Sequence, residues 1–260
     1  MYSLNPTLKS HPVRLMRRMM AIALFAGTLY TSMAGVALAQ YTPPNDIGLP
    51  SRREPGGTRG GCLGSSGVPV DGLGLTPLMP TVPAGSQDTT ADDPYFGQTL
   101  SPYPTFYWYV PAITARAAEF VLMDENDNEV YTSKFQLEPT DAGGLISLSL
   151  PENAGLPPLE VDKNYRWYFS LICDEFDRGT DIFTEGWVRR VPSATLPLVD
   201  ELATLPPSAQ ANVYAEASLW FEALDVLAKD KRMHGMASSE WTALLESVGL
   251  ADFTQVVFLQ

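Results

Sequence analysis

The stretch Leu159-Glu-Val-Asp-Lys-Asn-Tyr165-Arg-Trp-Tyr-Phe-Ser-Leu-Ile-Cys173 constrains the fold more than any other part of this 260-residue chain. Tyr165, Trp167, Phe169, Leu171 and Cys173 alternate with Arg166, Tyr168, Ser170 and Ile172. A period of two puts each set on its own face of a strand, the first turned inward and the second outward. Strands with one buried and one wet face belong to antiparallel sheets, which need a second layer against their apolar side.

Six further β-rich runs separated by turn clusters surround this strand: Leu73–Met79, Thr105–Val110, Ala118–Asp124, Glu129–Leu137, Leu145–Leu150 and Ile182–Val191. Their spacing predicts a β-sandwich domain over residues 73–192. Asp124-Glu-Asn-Asp-Asn128 reads as a hairpin turn, because Asn and Asp tolerate the left-handed conformations such turns demand. Pro151 and Pro157-Pro158 end one strand and shape the crossover that follows. Leu159 stands six residues before Tyr165, an arrangement that resembles the tyrosine corner of fibronectin-III and immunoglobulin-like sandwiches. The expected fold class is mainly β: an immunoglobulin/fibronectin-III-like antiparallel sandwich with a C-terminal α-helical hairpin.

After Pro192 the period changes. Val213, Ala217, Trp220, Leu224 and Leu227 recur at helical steps behind Pro206-Pro207-Ser208, predicting one helix. A second is expected from a Ser238 or Ser239 cap through Trp241, Leu244, Leu245 and Val248 to Gly249. Together they form the hairpin of a helical region, residues 193–260.

At the N-terminus Arg14, Arg17 and Arg18 precede an apolar run from Met19 that closes on Ala37-Leu-Ala39. This is the pattern of a cleaved export signal, residues 1–39, with the mature chain starting at Gln40 and having no membrane span. Removing that segment takes away Lys9 and three arginines but no acid, which moves the formal charge from −13 to −17. So acidic a chain lacks the clustered Lys and Arg that neutralise phosphates, which argues against nucleic-acid binding. Residues 40–72 form a Gly/Pro-rich lead-in, with Arg52–Cys62 at its centre and Cys62 as the point that would pin it to the sandwich. Cys62 and Cys173 are an even pair in an oxidising compartment, so a disulfide is expected between them. The expected location is periplasmic or extracellular.

No catalytic triad is legible. His11 leaves with the signal, and His234 falls in the expected loop between the helices, a poor place for an oriented base. Asp174, Asp177 and Asp181 cluster between the last two strands and are the best metal candidate, though the spacing departs from the EF-hand pattern and Arg178 lies within it, so solvated local ion pairs are the favoured reading. No cofactor is implied. In Thr105–Val110, Phe106 and Trp108 share the inward face, which turns Tyr107 and Tyr109 outward, as Tyr168 is in its own strand. Either these tyrosines form an open platform suited to stacking on a sugar or a protein, or the C-terminal helices bury their apolar stripe against it.

Several long strings resemble a known family: Arg53-Glu-Pro-Gly-Gly-Thr-Arg59-Gly-Gly-Cys62, Tyr103-Pro-Thr-Phe-Tyr-Trp-Tyr-Val-Pro111, Leu148-Ser-Leu-Pro151, Tyr165-Arg-Trp-Tyr-Phe-Ser-Leu-Ile-Cys-Asp174 and Gly186-Trp-Val-Arg-Arg190. Tyr214-Ala-Glu-Ala, Trp220-Phe-Glu-Ala-Leu224 and Trp241-Thr-Ala-Leu-Leu-Glu-Ser-Val-Gly-Leu250 extend the likeness. The chain is similar to the exported cyanobacterial proteins of domain-of-unknown-function family 928. The resemblance implies a bacterial, exported source and brings no activity with it. The expected role is non-catalytic binding or assembly in the periplasm or envelope, with a protein or polysaccharide as partner. The alternatives are a carbohydrate-binding module using the tyrosine face and a carboxylate-based hydrolase, which would need a cleft holding two acids of separated pKa.

Overall fold

The computed structural model describes residues 38–44, 62, 72–82, 94–196 and 199–259. The expected signal and most of the lead-in lie outside them. The described residues contain eight strands: β1 (Thr76–Pro77), β2 (Tyr95–Thr99), β3 (Thr105–Val110), β4 (Ala117–Met123), β5 (Glu129–Gln136), β6 (Gly144–Ser149), β7 (Asn164–Ile172) and β8 (Ile182–Arg190). They form two sheets, ordered β1-β3-β6 and β2-β8-β7-β4-β5. The ladders are antiparallel except β2 with β8, which is parallel.

The alternation in β7 sets the core. Tyr165, Trp167, Phe169 and Leu171 are all buried, and they meet the inward residues of the facing sheet. Trp108 stacks on Phe169 with ring centroids 4.3 Å apart, and Phe106 meets Trp167 edge-on at 6.0 Å. Each such pair adds about 0.5–1.5 kcal/mol beyond area burial. Glycine at 186 makes room, since a Cβ there would lie 2.4 Å from Trp167 Cζ2. The Tyr165 hydroxyl accepts a hydrogen bond from the Glu160 amide at 3.0 Å, tying the strand to the crossover before it. The Asp124 carboxylate accepts from the Asn126 and Asn128 amides, with Asp127 left-handed, which makes the β4–β5 hairpin.

The outward face of β7 is drier than alternation alone predicts. Arg166 is only 3% exposed: its guanidinium reaches Glu185 at 2.6 Å and lies over the rings of Tyr168 and Trp187 at 4.9 and 5.8 Å. Strand β1 shrinks to two residues from the expected Leu73–Met79. Strand β2 is an addition. Its Gly97, Gln98 and Thr99 hide any apolar period, and it owes its form to a parallel partner far along the chain.

The helical region differs from the expected hairpin. A single turn, α1 (Val199–Leu202), precedes α2 (Pro207–Glu216), α3 (Trp220–His234) and α4 (Ser239–Glu246). The one helix expected across Val213–Leu227 is two, broken where Ser218 takes φ 62°. The cause is tertiary. Residues 41–42 of the lead-in pack there, with Ser218 Oγ donating to the Thr42 carbonyl at 2.7 Å, the Thr42 amide to Ala215 O at 3.2 Å and the Tyr41 ring edge-on to Trp220 at 5.1 Å. The expected Ser238 cap of α4 is present, its hydroxyl accepting from the Trp241 amide at 3.1 Å.

These C-terminal elements lie on the outer face of the β1-β3-β6 sheet. Trp220 Nε1 donates to Leu78 O at 2.9 Å, and residues 257–259 add a short parallel pairing to Leu145. Helix α3 also touches the edge strand β2 where Gly97 leaves no side chain: a Cβ there would meet Phe221 Cε2 at 2.8 Å. Cys62 and Cys173 are bonded, with Cα atoms 5.0 Å apart, and so fasten the lead-in to the end of β7. Among the described residues, no helix is long and apolar enough to cross a membrane.

Candidate functional site

Of the two readings of the outward tyrosines, the covered one holds for Tyr107 and Tyr109. Tyr107 and Tyr109 do point outward from β3, yet they are 3% and 1% exposed. The Tyr107 hydroxyl donates to Asp225 Oδ1 of α3 at 2.7 Å, and burial followed by the Asp225 charge pushes its pKa well up. Tyr109 packs on Phe253 at 5.0 Å. Tyr168 stands apart from both, on the five-stranded sheet beneath the Arg166 guanidinium. The three residues therefore do not share a face. Alternation identified the outward side of β3 correctly, and the C-terminal elements named as the alternative cover are what lies on it.

The acids of the β7–β8 loop are spent on the loop itself. Asp174 Oδ1 accepts from the Phe176 amide at 2.8 Å, Asp177 Oδ1 from the Gly179 amide at 3.1 Å, and Asp181 Oδ1 from the Cys173 amide at 3.1 Å. Asp181 also pairs with Arg178, which reaches Glu119 at 2.9 Å. Carboxylates so engaged do not converge on a cation. Among the described residues, no group of three or more His, Cys, Asp or Glu is placed to hold a metal ion. His234 is the last residue of α3 rather than a loop residue, and it pairs with Asp230 at 3.1 Å.

What this loop does present is Phe176, 99% exposed at its tip. Glu175 beside it bonds Lys134 at 2.9 Å, which holds its carboxyl below the usual range. The result is one aromatic ring on a tightly bonded turn with an acidic rim of Asp174, Glu175 and Asp177. Sequence reading saw only the acids. The missed signal is a lone aromatic among five charged residues in Asp174–Asp181.

A second feature lies between β2, β3 and α3. A cleft of about 190 Å³ is lined by Ser101, Tyr103, Phe221, Glu222, Asp225 and others. Glu222 and Asp225 sit three apart on one helix face. Glu222 Oε1 accepts from Thr99 Oγ1 at 2.7 Å and from the Leu100 and Ser101 amides at 2.8 and 3.1 Å. Its Oε2 is sealed from solvent and has no partner, although the residue as a whole is partly exposed. Burial raises the Glu222 pKa against the pull of those three donors and of its own backbone amide. Asp225 spends its two oxygens on Tyr107 and, at 2.6 Å, on Lys229. Nothing in local periodicity marked Glu222, because its partners belong to the missed strand β2 and the turn after it.

Residues 54–258 match the family model described as Domain of Unknown Function (DUF928). No curated protein matches the chain. Among solved structures, it is similar to β-glucuronidase 3 of Bacteroides uniformis at 15% identity and TM-score 0.23, over 36% of this chain and 11% of that one. It is also similar to the vertebrate-specific, perforin-like membrane protein astrotactin-2 at 15% identity and TM-score 0.23, over 69% of this chain and 33% of that one. The chain thus spans a third or less of either protein, and at that score neither bears on its function.

Proposed function

Since the chain belongs to the DUF928 family, a domain of unknown function, we propose a role from its own surface: an exported, non-catalytic binding or assembly protein of the bacterial envelope, cyanobacterial in source. Support for export comes from the basic and apolar segment closed by Ala37-Leu-Ala39 and from the Cys62–Cys173 bond, which suits an oxidising compartment. The parallel pairing of β2 with β8, the partition into two sheets and the Tyr165 tie support an immunoglobulin-like type. In that type, end loops held on a rigid sandwich carry recognition.

Phe176 carries the reading. A phenylalanine left in water forgoes about 1.5–3 kcal/mol that burial would return, and the loop keeps it there with bonds on both sides. Docking into an apolar pocket returns that energy, and fixing the loop beforehand lowers the entropy lost on binding. The acidic rim selects a pocket edged by Lys or Arg, through complementarity that guides encounter and register. The partner is therefore a protein. A photoreactive phenylalanine analogue at position 176, irradiated in native envelope, is expected to form one discrete adduct that excess unlabelled protein suppresses and excess Phe176→Ser protein does not. Diffuse labelling, or equal competition by Phe176→Ser, would reject the loop as the contact; retention on insoluble polysaccharide that Phe176→Ser abolishes would reject a protein partner.

A further inference from the structure

We infer that the cleft between β2, β3 and α3 binds a neutral polyhydroxylated ligand, a sugar or similar polyol, through the Glu222 carboxyl and the Tyr103 ring. This site is separate from the Phe176 loop and does not depend on it. The starting point is Glu222 Oε2. A buried polar atom without a partner costs about 1–3 kcal/mol, and folded chains ordinarily supply one. Here three donors crowd onto Oε1 while none reaches Oε2. Glu222 lines the adjoining cleft and the terminal torsion of a glutamate is soft, so a turn of the carboxyl would open the sealed Oε2 to a ligand there.

Charge narrows the ligand class. The Asp225 charge is met by Lys229 at 2.6 Å, and Glu222 is held toward its neutral form by burial. A cation entering the cleft meets Lys229 and an anion meets Asp225, so neither is favoured over a neutral molecule. The walls fit a sugar, which has apolar C–H faces and a ring of hydroxyls. Tyr103 supplies an aromatic wall whose position is fixed because its hydroxyl donates to Leu156 O at 3.2 Å. The Ser101 hydroxyl accepts from the Tyr103 amide at 3.1 Å and keeps its own proton to donate. A cleft of about 190 Å³ sits below the usual span for drug-sized ligands, about 300–1,000 Å³. One monosaccharide ring is the size it admits.

The test is an NMR titration of the purified, isotope-labelled protein with glucose, N-acetylglucosamine, maltose and sorbitol. Acetate and tetramethylammonium serve as charged probes. At least one neutral probe is expected to shift the Leu100, Ser101 and Glu222 amide signals saturably. Glu222→Ala removes the carboxyl and should weaken that binding at least about tenfold, which corresponds to roughly 1.4 kcal/mol, whereas Glu222→Gln, which keeps an acceptor at Oε1 and a donor at Oε2 as the neutral acid does, should retain it. Should Glu222→Ala not fold, Tyr103→Leu and Ser101→Ala take its place, each expected to weaken binding. The inference is overturned if no neutral probe gives saturable shifts, if only a charged probe does, or if the shifts survive the Ala and Leu substitutions unchanged. Each of these outcomes leaves cross-linking through position 176 untouched.

Discussion

Glu222 is the residue at which fold and solvent conditions meet. Three donors from the β2 end and the turn after it converge on one of its oxygens, so the side chain fastens that turn to α3. Burial nevertheless raises its pKa above the ordinary 4.5, which means the folded protein takes up a proton there more readily than the unfolded chain. The sign follows from linkage. The contribution of this proton to stability is complete below the unfolded pKa and is lost as pH rises through the elevated folded one. Unfolding free energy measured against denaturant should therefore carry a component that falls as pH rises from about 4.5, and Glu222→Gln should remove it. A Glu222→Gln protein with the same pH slope as the parent would show that the carboxyl is charged in the fold.

At the scale of elements, the strands were legible wherever a single buried face imposed its period. β3 lies where alternation placed it, and β4 to β8 fall within a residue or two. β2 escaped because Gly97 and two polar residues leave no period to read, and because a parallel partner in β8 holds it in place. The break at Ser218 escaped for a related reason: Ala217-Ser-Leu219 contains no glycine or proline, and the strap at residues 41–42 imposes the turn from outside. The outward tyrosines were read to the correct side, and the apolar stripe of the C-terminal helices offered their cover as one of two readings, because such a stripe must bury against something. The disulfide was legible through pairing alone, and it spans 111 residues. In the chain-entropy account, a closed loop of that length stabilises the fold by about 4–5 kcal/mol. Replacing both Cys62 and Cys173 by Ser should lower the unfolding free energy by about that amount, and reduction of the parent protein should match it. A loss under about 1 kcal/mol would mean that the unfolded chain is already compact around this link.

For the whole molecule, the C-terminal region completes the sandwich. The outer face of the β1-β3-β6 sheet carries Tyr107 and Tyr109, the side opposite the shared aromatic core, so without cover it would be a wide aromatic surface in water. Phe221 goes further, meeting Phe106 edge-on at 5.1 Å and thereby reaching the core between the sheets. Trp220 and Trp241 are fully buried and spend their indole N–H groups on Leu78 O and Thr254 O, both at 2.9 Å. Removing the residues after Pro206 strips these contacts and leaves several aromatic side chains bare, each of which buries about 150–250 Å² when packed. An apolar patch of that combined size exceeds what soluble monomers ordinarily expose. The truncated protein should bind a hydrophobic dye, associate, and lose the soluble yield of the full chain. A truncated chain that stayed monomeric, dye-negative and cooperative in unfolding would show that the two sheets stand alone, and would reopen Tyr107 and Tyr109 as a binding face.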